Sequence, residues 1–215
     1  MLTRYMSFLL AFFLVRLTGT SQNTWTLKKD KDSIKVYNRG DEQSKFKELK
    51  VEMDLKASLS DLAAVILDIG DYKDWSFNTR TSYVIKQVSP SELYFYSEIE
   101  SPWPADNRDL TLHLVITQEP VGKTMKINIR TVTGLVPPKP NTVRVPMSDE
   151  TWVVTRMDKT QIRIAYQLKL DPGGALPAWL INTFSVKGPF ETFKHLREQV
   201  RQPRYRNAVV PFIVN

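Results

Sequence analysis

Apolar and polar residues alternate with a period of two over most of this chain, and after residue 22 the pattern turns helical in only two places. Leu49, Val51, Met53 and Leu55 alternate with Lys50, Glu52, Asp54 and Lys56, which predicts a strand with one buried and one wet face. A hairpin precedes it, Trp25 to Lys29 and Ser33 to Arg39 around Asp30-Lys31-Asp32, with Ile34 and Val36 on one face. Ser58 or Ser60 then caps a helix with the stripe Leu62, Val65, Ile66 and Ile69, ending near Gly70. Tyr72 and Trp75 follow and are expected to pack that helix onto the sheet. From Thr81 the chain reads as a meander with strands near 81–88, 92–100, 108–118, 123–133, 142–157 and 161–171, nine in all. A final helix is predicted from about Pro177 to Val200, with Gly188-Pro189 kinking or splitting it.

Three interruptions stand out. Pro102-Trp103-Pro104-Ala105-Asp106-Asn107-Arg108-Asp109 separates a strand bearing Leu93, Phe95 and Ile99 from one bearing Leu110, Leu112, Leu114 and Ile116, and forms a stiff flap. Leu135-Val136-Pro137-Pro138-Lys139-Pro140 cannot donate a regular ladder and makes a second stiff loop. Asp171-Pro172-Gly173-Gly174 ends the last strand and leads into the apolar helix. The fold class is therefore α+β, a curved antiparallel sheet of nine strands packed on a long C-terminal helix. One helix cannot fill so wide a sheet, and the space left over is an apolar cavity, the usual form of a small-molecule site.

Residues 1–21 form a separate unit. Arg4, the apolar run Ser7 to Val15 and the small residues Gly19, Thr20 and Ser21 read as a signal peptide, although Arg16 falls inside the apolar region. The alternative is an uncleaved anchor, but the run is well short of the ~20 residues a span needs. Removing Arg4 and Arg16 from the 30 basic residues leaves 28 against 23 acidic ones, a net charge of +5. That balance mildly favours anionic lipid surfaces and equally suits an ordinary basic surface. Cysteine is absent, which excludes disulfides, thiolate metal sites and a cysteine nucleophile.

Enzymatic signals are missing. His113 and His195, the only histidines, are too dispersed for a metal site or a triad and read as surface residues. No nucleophile elbow, phosphate-cradling loop or dinucleotide fingerprint occurs. Glu98 and Glu100 share a strand face and read as solvated outer residues, while Lys45, Lys47 and Lys50 are broken up by Glu48 and Glu52, so nucleic acid is not an expected partner. Arg108 shares parity with Leu110, Leu112 and Leu114 and should point inward, where it can fasten the flap through loop carbonyls or reach a polar ligand group. Trp103 can plug a cavity mouth, touch a membrane interface or fold into local packing. Trp179 and Phe184 belong to the apolar stripe that any sheet-packing helix needs, which reads as core before ligand wall.

The Pro-Trp-Pro-x-x-x-Arg-Asp step (102–109) and the Asp-Pro-Gly-Gly-x-x-Pro-x-Trp-Leu-Ile-Asn step (171–182), with the element order from Trp25 to Arg201, resemble the START family, the StAR-related lipid transfer domains. The resemblance implies a helix-grip fold holding one lipid or sterol in a tunnel, with Ser101 to Asn107 as lid. It places Phe95, Ile99, Trp103, Arg108, Leu112, Leu114, Trp179 and Phe184 at the ligand and Pro102, Trp103 and Pro104 in the lid. Some lipid-carrying members have a basic residue where this chain has Leu114, so the ligand class stays open. The implied protein is a monomeric, non-enzymatic carrier or sensor without cofactor or metal, in transient contact with a membrane. A cyclase or hydrolase on the same scaffold is the alternative, and an interaction module with a closed cavity the third. The domain is expected to span 22–201, with a tail over 202–215, in an exported, periplasmic or secreted protein. N-terminal sequencing of exported protein should begin near Ser21, Gln22 or Asn23; an intact chain from Met1 in the cytoplasm contradicts this.

Overall fold

A computed structural model describes residues 24–40, 47–119, 121 and 123–215; the expected signal segment lies outside them. Ten strands form one sheet: β1 (Thr26–Lys31), β2 (Ile34–Gly40), β3 (Lys47–Leu55), β4 (Thr79–Ser89), β5 (Glu92–Ile99), β6 (Asn107–Gln118), β7 (Thr124–Thr131), β8 (Thr142–Arg144), β9 (Met147–Arg156) and β10 (Ile162–Asp171). Nine run antiparallel in the order β1-β2-β3-β10-β9-β7-β6-β5-β4, and β8 pairs in parallel with β6. The expected single strand over 142–157 is thus two. Pro146, which cannot donate to a ladder, falls at the break, and the chain changes partner from β6 to β7 and β10. Asp32 and Ser33, both at positive φ, close the first hairpin in the twist that suits two-residue connections.

Register stacks the inward residues in tiers across the sheet. Val36, Val51, Tyr166, Trp152, Ile127 and Ile116 form one tier, and Leu49, Leu168, Glu150, Ile129, Leu114 and Leu93 the next. Against this face pack α1 (Leu59–Leu67), a 3-10 turn (Ile69–Asp71), α2 (Tyr72–Trp75) and the C-terminal helix. Ser58 caps α1 in a reciprocal box with Asp61. The C-terminal helix comprises α3 (Ala178–Asn182), a π turn (Thr183–Lys187) and α4 (Gly188–Gln199). Pro189 has no N–H to return to the preceding turn, and the wide π turn directly before it absorbs that defect. Phe193 fastens α4 to the sheet, its ring centroid 5.1 Å from Trp152 and 5.2 Å from Tyr166. A Cβ on Gly188 would stand 3.1 Å from Phe77 Cδ1, so glycine there permits the close approach of the helix to the segment after α2.

The residues after α4, which fall outside the alternating pattern, pack onto the domain. Tyr205, Val210 and Ile213 join the core. Tyr205 Oη donates at 3.0 Å to Asp68 and lies 3.0 Å from Asp71, Ala208 N donates to Asp61, and Ser60 N donates to the Asn215 side chain. This segment ties the end of the C-terminal helix to α1 and the 3-10 turn. Tyr205→Phe is therefore expected to lower stability by about 1–3 kcal/mol in denaturant unfolding, because the Asp68–Asp71 pair loses the one hydroxyl that donates to it; an unchanged midpoint would place the segment outside the cooperative unit.

Candidate functional site

Two adjoining cavities lie between the inner sheet face and the C-terminal helix, one of about 170 Å³ and one of about 100 Å³. Leu49, Ile99, Leu110, Leu170 and Phe184 border both. Their walls are mainly apolar because they continue the inward tiers of β3, β5, β6 and β10 beyond the point where Phe193 meets the sheet.

The smaller cavity lies beneath the flap. Arg108 reaches its wall, buried, with Nη1 donating to the Asp106 carbonyl at 2.5 Å and Nη2 to the Gly173 carbonyl at 3.4 Å. The guanidinium thus ties the end of the flap to the turn that starts the C-terminal helix. Burial depresses its pKa, and the charge of Asp106 works in the opposite direction. Gly173, at φ +66°, fits this turn because a Cβ there would meet Pro146 at 3.0 Å and the Arg144 carbonyl at 3.3 Å. Ser101 Oγ and Arg108 Nε are buried without a hydrogen-bond partner, which leaves two polar atoms at this end.

The flap is held from outside as well. Asp109 is fully buried and receives both Arg144 Nε, at 2.7 Å, and Nη2, at 3.0 Å. That bidentate pair, which raises the Arg144 pKa chiefly through its hydrogen bond to Asp109, pins the proline-rich second loop to β6. Glu98, expected on a solvated face, is instead buried under this loop. Burial pushes its pKa up, but Asn107 and Lys139 outweigh that and hold it below the ordinary value. Asn107 also accepts from Ser101 N, closing the base of the flap.

The larger cavity holds a group that the sequence reading missed. Glu150 shares the inward parity of Ser148, Trp152 and Val154, flanked across the sheet by Leu168 and Ile129, and lines the cavity. It is part-buried and borders the cavity. Burial lifts its pKa to about 7, against the pull of Tyr166, Trp152 and Ser148. The parity of Trp152 and Val154 was the available signal; an adjacent Asp149-Glu150 pair reads as solvated when composition alone is considered.

The expected site residues divide accordingly. Phe95, Ile99, Leu112 and Phe184 line the larger cavity, and Ile99, Arg108 and Phe184 the smaller. Leu114 is fully buried in the core and Trp179 is half exposed, and neither borders either cavity. Trp103 is 90% exposed between the exposed Pro102 and Pro104, so it neither plugs a mouth nor folds into local packing. His113 stacks on Tyr94 and meets Glu92 at 2.7 Å on the outer face. Among the described residues no cluster of three or more His, Cys, Asp or Glu side chains is placed to hold a metal, and no helix is long and apolar enough to cross a membrane.

Comparison with known proteins agrees with this architecture. An uncharacterized protein of Pseudomonas aeruginosa is 30% identical over 173 residues, covering 80% of this chain and 85% of the relative. The phosphatidylcholine transfer protein of Bos taurus is 25% identical over 169 residues, 76% of this chain and 78% of its own. A solved StAR-related lipid transfer protein fragment from Xanthomonas axonopodis superposes with a TM-score of 0.75 at 32% identity, covering 83% of this chain and 99% of that one. The START domain model matches residues 11–206, and with the helix-grip sheet, the flap and the apolar cavities in place, this chain belongs to the START domain family.

Proposed function

We propose that this protein is a non-enzymatic carrier or sensor of a lipid, sterol or other hydrophobic small molecule, held between the sheet and the C-terminal helix. The observation that carries the reading is the pair of adjoining apolar cavities closed by a flap whose far end is tied, through Arg108, to the start of that helix. Loosening this contact frees flap and helix start together, which gives an apolar ligand a way in without disturbing the Phe193 contact. The likeness to the bovine phosphatidylcholine transfer protein and the Xanthomonas lipid transfer protein supports a lipid as the ligand class. Exposed Trp103 and Trp179, on the two segments that the Arg108 contact joins, suit a transient membrane contact in which an indole sits at the interface. Arg4 and the apolar run after it support export.

Glu150 beside Tyr166 is the observation that favours the second reading, an enzyme of the cyclase or hydrolase type, since a carboxyl with a pKa near neutrality suits a general base. Recovery of a loaded ligand chemically unchanged separates the carrier from the enzyme.

Transfer of a fluorescent lipid between vesicles, measured beside thermal unfolding, tests the carrier reading. Leu112→Trp, on the cavity wall, should abolish most uptake while overpacking costs about 1–3 kcal/mol; full uptake by the folded variant removes the cavity from the function. Arg108→Leu leaves the carbonyls of Asp106 and Gly173 without their donor, and should destabilise the fold by about 1–3 kcal/mol per carbonyl or accelerate ligand release. Trp103→Ala should change stability by less than ~0.5 kcal/mol and slow transfer. Unchanged transfer and melting in both flap variants would reject the flap as a lid.

A further inference from the structure

Glu150 occupies a tier position where its neighbours across the sheet are Leu168 and Ile129. Tyr166 faces it from β10 and Tyr72 from α2, both phenols pushed well up, first by burial and then by the charge of Glu150. On its own strand stand Ser148, Trp152 and the charge of Asp149. The remaining elements around the cavity present Leu49 from β3, Thr79 from β4, Phe95, Ser97 and Ile99 from β5, Leu110 and Leu112 from β6, Ile129 from β7, and Phe184, Thr192 and Phe193 from the C-terminal helix, none of them charged. No Lys, Arg or His lines this cavity among the described residues. Arg108 borders the smaller cavity, where its two amino groups are directed at the carbonyls of Asp106 and Gly173.

A carboxylate in this place is a part-buried negative charge for which no described residue supplies an ion-pair partner, a costly arrangement unless something else supplies the positive charge. The walls around it carry the aromatic rings of Tyr72, Trp75, Phe95, Trp152, Tyr166 and Phe193, whose faces attract cations. We propose that Glu150 is the anchor for a cationic nitrogen, a protonated amine or a quaternary ammonium group, borne by the hydrophobic ligand of the larger cavity; this rests on the carrier reading above. The ligand's charge supplies the counter-ion that the described lining residues lack, and the apolar cavity beyond takes its hydrocarbon.

Proton linkage follows. With a pKa of about 7, Glu150 is half protonated at neutral pH, and a bound cation holds it ionised, so binding there releases about half a proton per site, rising toward one at lower pH. Without ligand the sign is opposite: the unfolded carboxyl ionises near 4.5 while the folded one keeps its proton to about 7. Its contribution to stability is therefore full below the lower value and lost as pH rises through the higher one. Glu150→Gln, close in shape and always neutral, should melt higher than the wild type at pH 8 and alongside it at pH 5.

The direct test uses octyltrimethylammonium, 1-octanol and octanoate below their micelle concentrations, with tryptophan fluorescence and calorimetry in buffers of different ionisation heat. The wild type should bind the ammonium compound at least tenfold more tightly than octanol and exclude octanoate. Ammonium affinity should fall about tenfold per pH unit below 7, with proton release on binding. Glu150→Gln should erase the ammonium preference and keep octanol binding. Octanol binding without that preference, or a preference indifferent to the substitution and to pH, overturns the anchor and leaves the carrier reading standing. If none of the three binds, both fail.

Discussion

Everything in this molecule depends on where the C-terminal helix touches the sheet. Phe193 wedges against Trp152 and Tyr166 and joins the helix to the centre of the concave face, at strands β9 and β10. The aromatic residues join helix and sheet at that point, and on the side toward the flap the facing side chains are mostly aliphatic and leave the two surfaces apart. The cavities are thus the remainder of a packing problem solved at one end only. Closing the other end falls to the flap and the glycine turn, polar devices that do not rely on filling volume.

The two ends of the cavity region also differ in electrical character. Toward the flap the buried charge is Arg108, held by carbonyls rather than by an acid. In the larger cavity it is Glu150, without a base among the lining residues described. Outside the flap, in contrast, Asp109, Arg144, Glu98 and Lys139 satisfy one another. A protein that pairs its charges so fully behind the flap and leaves single charges at the cavity walls has separated the groups that hold the fold from those that a ligand can meet.

Much of this was legible in the sequence because antiparallel strands with one wet face write their register as a period of two. Leu49 to Leu55 and Ile162 to Leu170 name the inner face directly, and Arg108 follows from the same parity. Where sequence reading failed, it ignored parity or met a signal that has none. Glu150 sits on the inward parity of Trp152 but next to Asp149, and acids in pairs suggest water. Glu98 is outward by parity, yet the outward face is covered there by a proline-rich loop that no strand pattern reveals. Val209 to Val214 is apolar without a period, and its docking depends on distant partners such as Gln118, which accepts from Val214 N, and on Asp61, which accepts from the preceding Ala208 N. Trp103 and Trp179 show that a large aromatic ring in a loop or at a helix start carries no sign of which way it faces.

The π turn before Pro189 amounts to one extra residue inserted into an otherwise regular α-helix, and at 3.6 residues per turn an insertion rotates everything upstream of it by about 100°. Upstream lies α3, whose Trp179 faces solvent while Leu180 is buried; downstream lies α4, whose facing is set by Phe193. The extra residue therefore uncouples the azimuth of the two halves, so that the outer half can be aimed independently of the inner. A deletion of a single residue between 183 and 187 would swing α3 around by that same angle while leaving α4 in place, which makes helix phase, more than side-chain chemistry, the quantity that decides what this segment shows to its surroundings.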